Sequence, residues 1–75
     1  MPLLAGGRLL GRADPAREGR TLVAKQVSLD TPKAIAPMAQ ALLEAARWVG
    51  CDAVRIERAD TPGLARELTA AIAAA

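Results

Sequence analysis

Four arginines crowd the first twenty positions of the chain: Arg8, Arg12, Arg17 and Arg20. Each guanidinium is a planar, permanently charged fork that meets phosphate oxygens and enters narrow minor grooves. Read as strand residues, Arg8 and Arg12 share one face, separated by about 13 Å of strand rise. Arg17 and Arg20 fall in the turn beyond. Residues 1–25 hold five basic and two acidic side chains, a net +3, and the remainder five and six, a net −1. The sequence pI of 9.3 therefore comes from the N-terminal third. Such a distribution describes either a solvated hairpin surface or a patch that faces phosphate.

Residues able to do covalent or acid–base chemistry are scarce. The chain has no histidine, which removes the commonest general base and the commonest metal ligand. Its single cysteine, Cys51, has no imidazole to activate it and no second thiol to pair with, and reads as a small buried hydrophobe. Asp14, Glu18, Glu57 and Asp60 do not pair at a spacing that would make a shared carboxylate site, and read as solvated charges. Gly6-Gly7 does not open a helix, so it is no phosphate loop. No catalytic residue, cofactor or metal is expected. Trp48, the one aromatic residue, lies beside an apolar stripe and reads as an edge-of-core side chain rather than an exposed stacking platform. Without aromatic residues interleaved among the arginines, single-stranded binding is only weakly signalled.

The elements that must position these residues are legible. Seventy-five residues make one small domain with marginal burial. Gly6-Gly7 separates two β-capable runs, Pro2–Ala5 and Arg8–Asp14, as a two-residue hairpin turn does. Gly11 suggests a bulge or the close approach of another backbone. Asp14-Pro15 and Glu18-Gly19 bracket a polar turn. Thr21–Leu29 reads as the longest strand, with Val23, Val27 and Leu29 on one face and Leu22, Ala24, Gln26 and Ser28 on the other.

Asp30 or Thr31 caps a short lead-in with Pro32 at its first position. The regular helix begins near Ile35 because Pro37 cannot sit deep in it. Ile35, Met38, Ala39, Leu42, Leu43, Ala46 and Val49 form one amphipathic stripe, and Gly50 supplies the stop. Val54 and Ile56 alternate with Arg55 and Glu57 in a half-buried strand over Asp52–Arg58. Asp60-Thr61-Pro62 repeats the helix-start chemistry ahead of a terminal stripe of Leu64, Ala65, Leu68, Ala71 and Ile72. The expected fold is α+β, in the order ββ-β-α-β-α: one mixed sheet with both helices on one face. No apolar run approaches the ~20 residues of a membrane span, no targeting segment is visible, and a cytoplasmic location is expected.

In its string of short motifs the chain resembles the C-terminal region of the winged-helix DNA-binding family that includes the YcaQ-like crosslink-repair DNA glycosylases. The residues carrying the resemblance are Pro2, Leu4, Gly6, Arg8, Leu9, Gly11, Arg12 and Asp14 in the hairpin, Asp30 at the strand end and Trp48-Val49-Gly50 at the helix end. It extends over nearly the whole chain, though its motifs are short and mostly structural. The turn Asp14–Arg20 is shorter than the family's and lacks its lysine. The tandem winged helices and the glutamine-bearing catalytic loop have no counterpart here. The resemblance implies a C-terminal module or fragment of a longer winged-helix protein, with Met1 either a genuine start or the mark of a truncated gene. It implies a non-catalytic accessory role, with Arg8, Arg12, Arg17 and Arg20 on the backbone of duplex DNA. The alternative is a small structural or protein-interaction module that docks or self-associates without binding nucleic acid.

Overall fold

The structure is a computed structural model that describes residues 2–75; Met1 lies outside the described residues. It contains β1 (Pro2–Ala5), β2 (Arg8–Glu18), β3 (Thr21–Leu29), a 3-10 turn (Pro32–Ala34), α1 (Ile35–Trp48), β4 (Ala53–Ile56) and α2 (Leu64–Ala74). The strands form one mixed sheet in sequence order. β1, β2 and β3 run antiparallel and β4 lies parallel to β3. This is the α+β arrangement expected from the hydrophobic pattern.

The core lies between one sheet face and the helices. Leu3, Ala13, Ala24 and Val27 from the sheet meet Ala34, Met38, Leu42, Leu64 and Leu68. Leu22 packs in a smaller cluster with Ala46 and Cys51. Burying Cys51 here is consistent with its reading as a small hydrophobe.

β2 is longer than its composition suggests. It continues through Asp14-Pro15 to Glu18, and the turn is confined to Gly19-Arg20. Two features let a proline sit inside it. Among the described residues β1 pairs with β2 only as far as Arg12, so Pro15 needs no N–H on that side. Beside it the ladder is irregular: Ala13 pairs with Val27 but Pro15 with Ala24, so β3 carries one extra residue around Lys25-Gln26. That extra residue also changes which side chains share a face. Leu22 and Ala24 before it, and Val27 and Leu29 after it, all point to the helices. The strict alternation expected for Thr21–Leu29 therefore breaks at the bulge, and Val23 belongs to the opposite face.

α1 follows its stripe closely. The Thr31 hydroxyl accepts a hydrogen bond from the Lys33 N–H (3.3 Å) and caps the 3-10 lead-in. Pro37 is tolerated as the third residue of α1, where the N–H has no intrahelical partner. At the other end Gly50, with φ of 74°, closes a Schellman motif. Its N–H donates to the Arg47 carbonyl (3.2 Å), and that of Cys51 to the Ala46 carbonyl (2.8 Å).

The second Asp-Thr-Pro behaves differently. Pro62 and Gly63 form a turn closed by a hydrogen bond from the Leu64 N–H to the Thr61 carbonyl (3.1 Å), and α2 begins after it without a side-chain cap. Gly63, with φ of 83°, takes the left-handed conformation that Lys33 avoids at the matching position.

Candidate nucleic-acid interface

The hairpin arginines are all exposed, but they do not form one patch. The β1–β2 ladder shows why. Leu3 pairs with Gly11, and its neighbour Leu4 pairs with Leu9. Adjacent strand residues point to opposite faces, so Leu9 and Gly11 do too, although they are two apart. The extra residue is Leu10, which turns inward against the core. Arg8 therefore shares the helix side of the sheet with Gly11, while Arg12 lies on the open side with its cross-strand neighbours Pro2 and Ser28. This corrects the expectation that Arg8 and Arg12 share a face: counting residues by twos fails across a bulge.

Arg17 and Arg20 sit at the far end of the hairpin. Arg17 pairs across the ladder with Leu22, which places it on the helix side, and its Nε donates to the Gly19 carbonyl (3.1 Å). Arg20 is in the two-residue turn, and its Nε donates to Asp52 Oδ2 at 2.8 Å. Arg8 and Arg17 are nine residues apart on β2, so the helix-side arginines span about 30 Å at full strand rise.

Charges in the middle of the sheet pair with one another. Lys25, Glu18, Arg55 and Glu57 form a network on the open face. Lys25 Nζ lies 2.7 Å from Glu18 Oε2 and 3.8 Å from Glu57, and Arg55 reaches Glu18 at 3.5 Å. The hydrogen bond from Lys25, with its charge, holds the Glu18 carboxyl below its ordinary value, and Glu18 in turn raises Lys25. Among the described residues, Arg8 and Arg12 form neither an ion pair nor a side-chain hydrogen bond, and Arg17 bonds only to a backbone carbonyl.

Several depressions mark the surface, one of about 310 Å³ lined by Arg47 and Trp48. Arg12 lines another of about 300 Å³ with Ala13, Asp14, Gln26 and Ser28, beside the β3 bulge. The Ser28 hydroxyl donates to Asp60 Oδ2 there (2.7 Å). A third, of about 240 Å³, lies where the two Asp-Thr-Pro turns meet, between Leu29, Ile35 and Leu64. Its charged lining is Asp30 and Glu67, which repel an anion. A fourth, of about 180 Å³, runs from Arg47 to Cys51 and Asp52 at the end of α1.

Trp48 is the largest departure from the sequence reading. It is 90% exposed rather than lodged at the edge of the core. At 100° per residue it lies about 140° round α1 from the centre of the stripe. The Schellman turn then carries the chain inward at Cys51, leaving Trp48 and Val49 outside. The helical angle was available in the sequence; adjacency to Val49 obscured it.

Set beside protein-family models, curated proteins and solved structures, the chain matches none.

Proposed function

We propose that this chain is a non-catalytic, cytoplasmic DNA-binding accessory module that contacts the duplex backbone through Arg8, Arg12, Arg17 and Arg20. It is similar in this to the C-terminal part of winged-helix crosslink-repair DNA glycosylases. The observation that carries the reading is the uncompensated charge of the hairpin. The acidic side chains that form ion pairs, Glu18, Glu57 and Asp52, take Lys25, Arg55 and Arg20, and leave Arg8, Arg12 and Arg17 without a carboxylate among the described residues. Because Arg8 and Arg12 face opposite ways, the phosphate contacts run along the β1–β2 margin and round the Gly19-Arg20 turn, not across one face.

Contacts to phosphate alone bind without sequence preference and weaken steeply with salt. Fluorescence anisotropy of a labelled duplex, titrated across salt concentrations, tests this. Four phosphate contacts give a slope of log K against log salt near −3.5, and each arginine replaced by alanine makes it shallower by about 0.9. Absence of duplex binding at low salt overturns the proposal.

One observation favours a second reading, a small structural or protein-interaction module. Leu4 and Leu9 face each other across the β1–β2 ladder and are 60% and 39% exposed, an apolar pair at the sheet margin. Light scattering distinguishes the two readings: a concentration-dependent dimer lost in Leu4→Lys supports self-association.

A further inference from the structure

The Trp48 indole is the chain's one aromatic ring, and almost all of it is in water. A tryptophan offers about 200 Å² for burial, and here the fold uses little of it. Arg47 precedes Trp48, and Glu44 stands one helical turn back, hydrogen-bonded to Gln40 at 3.4 Å. Val49, 41% exposed, is the one large apolar neighbour in sequence.

Arg47, Arg20 and Arg17 stand at this end of the molecule together with Glu44 and Asp52. Arg47 shares a depression with Asp52. Asp52 is already paired with Arg20, and its N–H donates to the Arg20 carbonyl at 2.9 Å, tying the Gly19-Arg20 turn to the end of α1. Arg17 is held against that same turn by its bond to the Gly19 carbonyl. A bare aromatic ring that shares a surface depression with Arg47, on a helix end tied to the Gly19-Arg20 turn, matches the chemistry of an unpaired nucleobase attached to a phosphate chain. Base–aromatic stacking supplies the contact, and the arginines track the backbone. A base within a duplex has both faces occupied, so this surface selects single-stranded, bulged or extruded nucleotides.

We propose that Trp48 is a stacking platform for an unpaired base, with Arg47, Arg20 and Arg17 on the adjoining phosphates. The proposal rests on the nucleic-acid reading above and adds to it a site at the opposite end of the sheet from Arg8. The lone tryptophan makes its own fluorescence the reporter. The probes are an oligothymidylate strand, a fully paired duplex, and the same duplex with one bulged thymidine. Wild type is compared with Trp48→Ala and with the Arg8→Ala/Arg12→Ala double variant.

The expected result is quenching of Trp48 emission by the single strand and the bulged duplex. In Trp48→Ala, binding to those two probes weakens about tenfold or more, and paired-duplex binding stays within about twofold. The double variant weakens paired-duplex binding and leaves the quenching in place. Unchanged binding of all probes by Trp48→Ala overturns the platform while leaving the duplex contact standing. No binding of any probe by wild type at low salt overturns both. If light scattering shows a wild-type dimer that Trp48→Ala converts to monomer, Trp48 is a contact between copies and the platform is overturned. Because the side chain is exposed, the variant's thermal unfolding is expected to match wild type, which separates loss of binding from loss of fold.

Discussion

The two faces of the sheet solve the burial problem differently. On the covered face Val27, Ala24 and Leu3 are sealed by α1 and α2, and Met38, Leu42 and Leu68 have no exposure at all. On the open face Val23 is equally buried, at 0% exposure, with no helix above it. Its cross-strand neighbours there are Ala16 and Arg55, with Lys25, Glu18 and Glu57 close by. Long charged side chains lay their apolar stems over a hydrophobe and keep their heads in water. The covered face thus obtains stability from packed hydrocarbon. The open face obtains solvation and charge balance in its middle, and at the margins of the sheet Arg12 on this face and Arg8 and Arg17 on the other have no carboxylate partner among the described residues. A binding surface is affordable at those margins because the core does not depend on them.

The sharpest way to break this comparison is to cut a large side chain from the covered face. Leu42→Ala is expected to lose about 2–5 kcal/mol, a large part of the stability of a domain this small. Val23→Ala should lose clearly less, because a lid of flexible stems collapses into the space. Urea unfolding of both variants measures the difference. Equal losses would mean that the open face is packed as rigidly as the covered one.

A smaller effect is expected at Gly11, on the covered side, where β2 passes close to β3. A Cβ there would collide with the Ser28 carbonyl and lie 2.6 Å from Leu29 Cδ2. Gly11→Ala is expected to cost about 1–3 kcal/mol through overpacking, read from the shift in urea midpoint. A neutral result would show that β2 and β3 separate freely at this point.

The smallest effect belongs to the charged lid. The lowered Glu18 pKa means that its contribution is present above the ordinary carboxylate value of 4.5 and is lost as pH falls through the folded value. The raised Lys25 pKa contributes below its ordinary value of 10.5 and fades as pH rises through the folded one. Both groups are exposed, so the contribution is small and screened by salt. Glu18→Gln is expected to lower the melting temperature slightly at neutral pH and not at all well below pH 4.5. A pH-independent difference would mean that the substitution acts through packing and not charge.

Much of this fold was legible because its signals are local. The stripe from Met38 to Ala46 gave α1, Gly50 gave its end, and Val54 and Ile56 gave β4. The two Asp-Thr-Pro segments were less informative, since the residue after the proline decides between a capped turn at Lys33 and a left-handed turn at Gly63. The site was legible as residue types. The four arginines could be picked out, but their common face could not be inferred, because period-two counting assumes an unbroken ladder.

From sequence alone came the element order, the single layer of helices and the excess of positive charge near the N-terminus, all set by composition and periodicity along the chain. Only the tertiary structure decided the two bulges, and with them the face of Arg8 against Arg12 and of Val23 against Val27. Only it decided which charges pair, since Arg20 meets Asp52 and Ser28 meets Asp60 across 32 residues. Bulges and long-range pairs record which backbone lies alongside which, and the order of side chains along one strand carries little trace of the strand beside it.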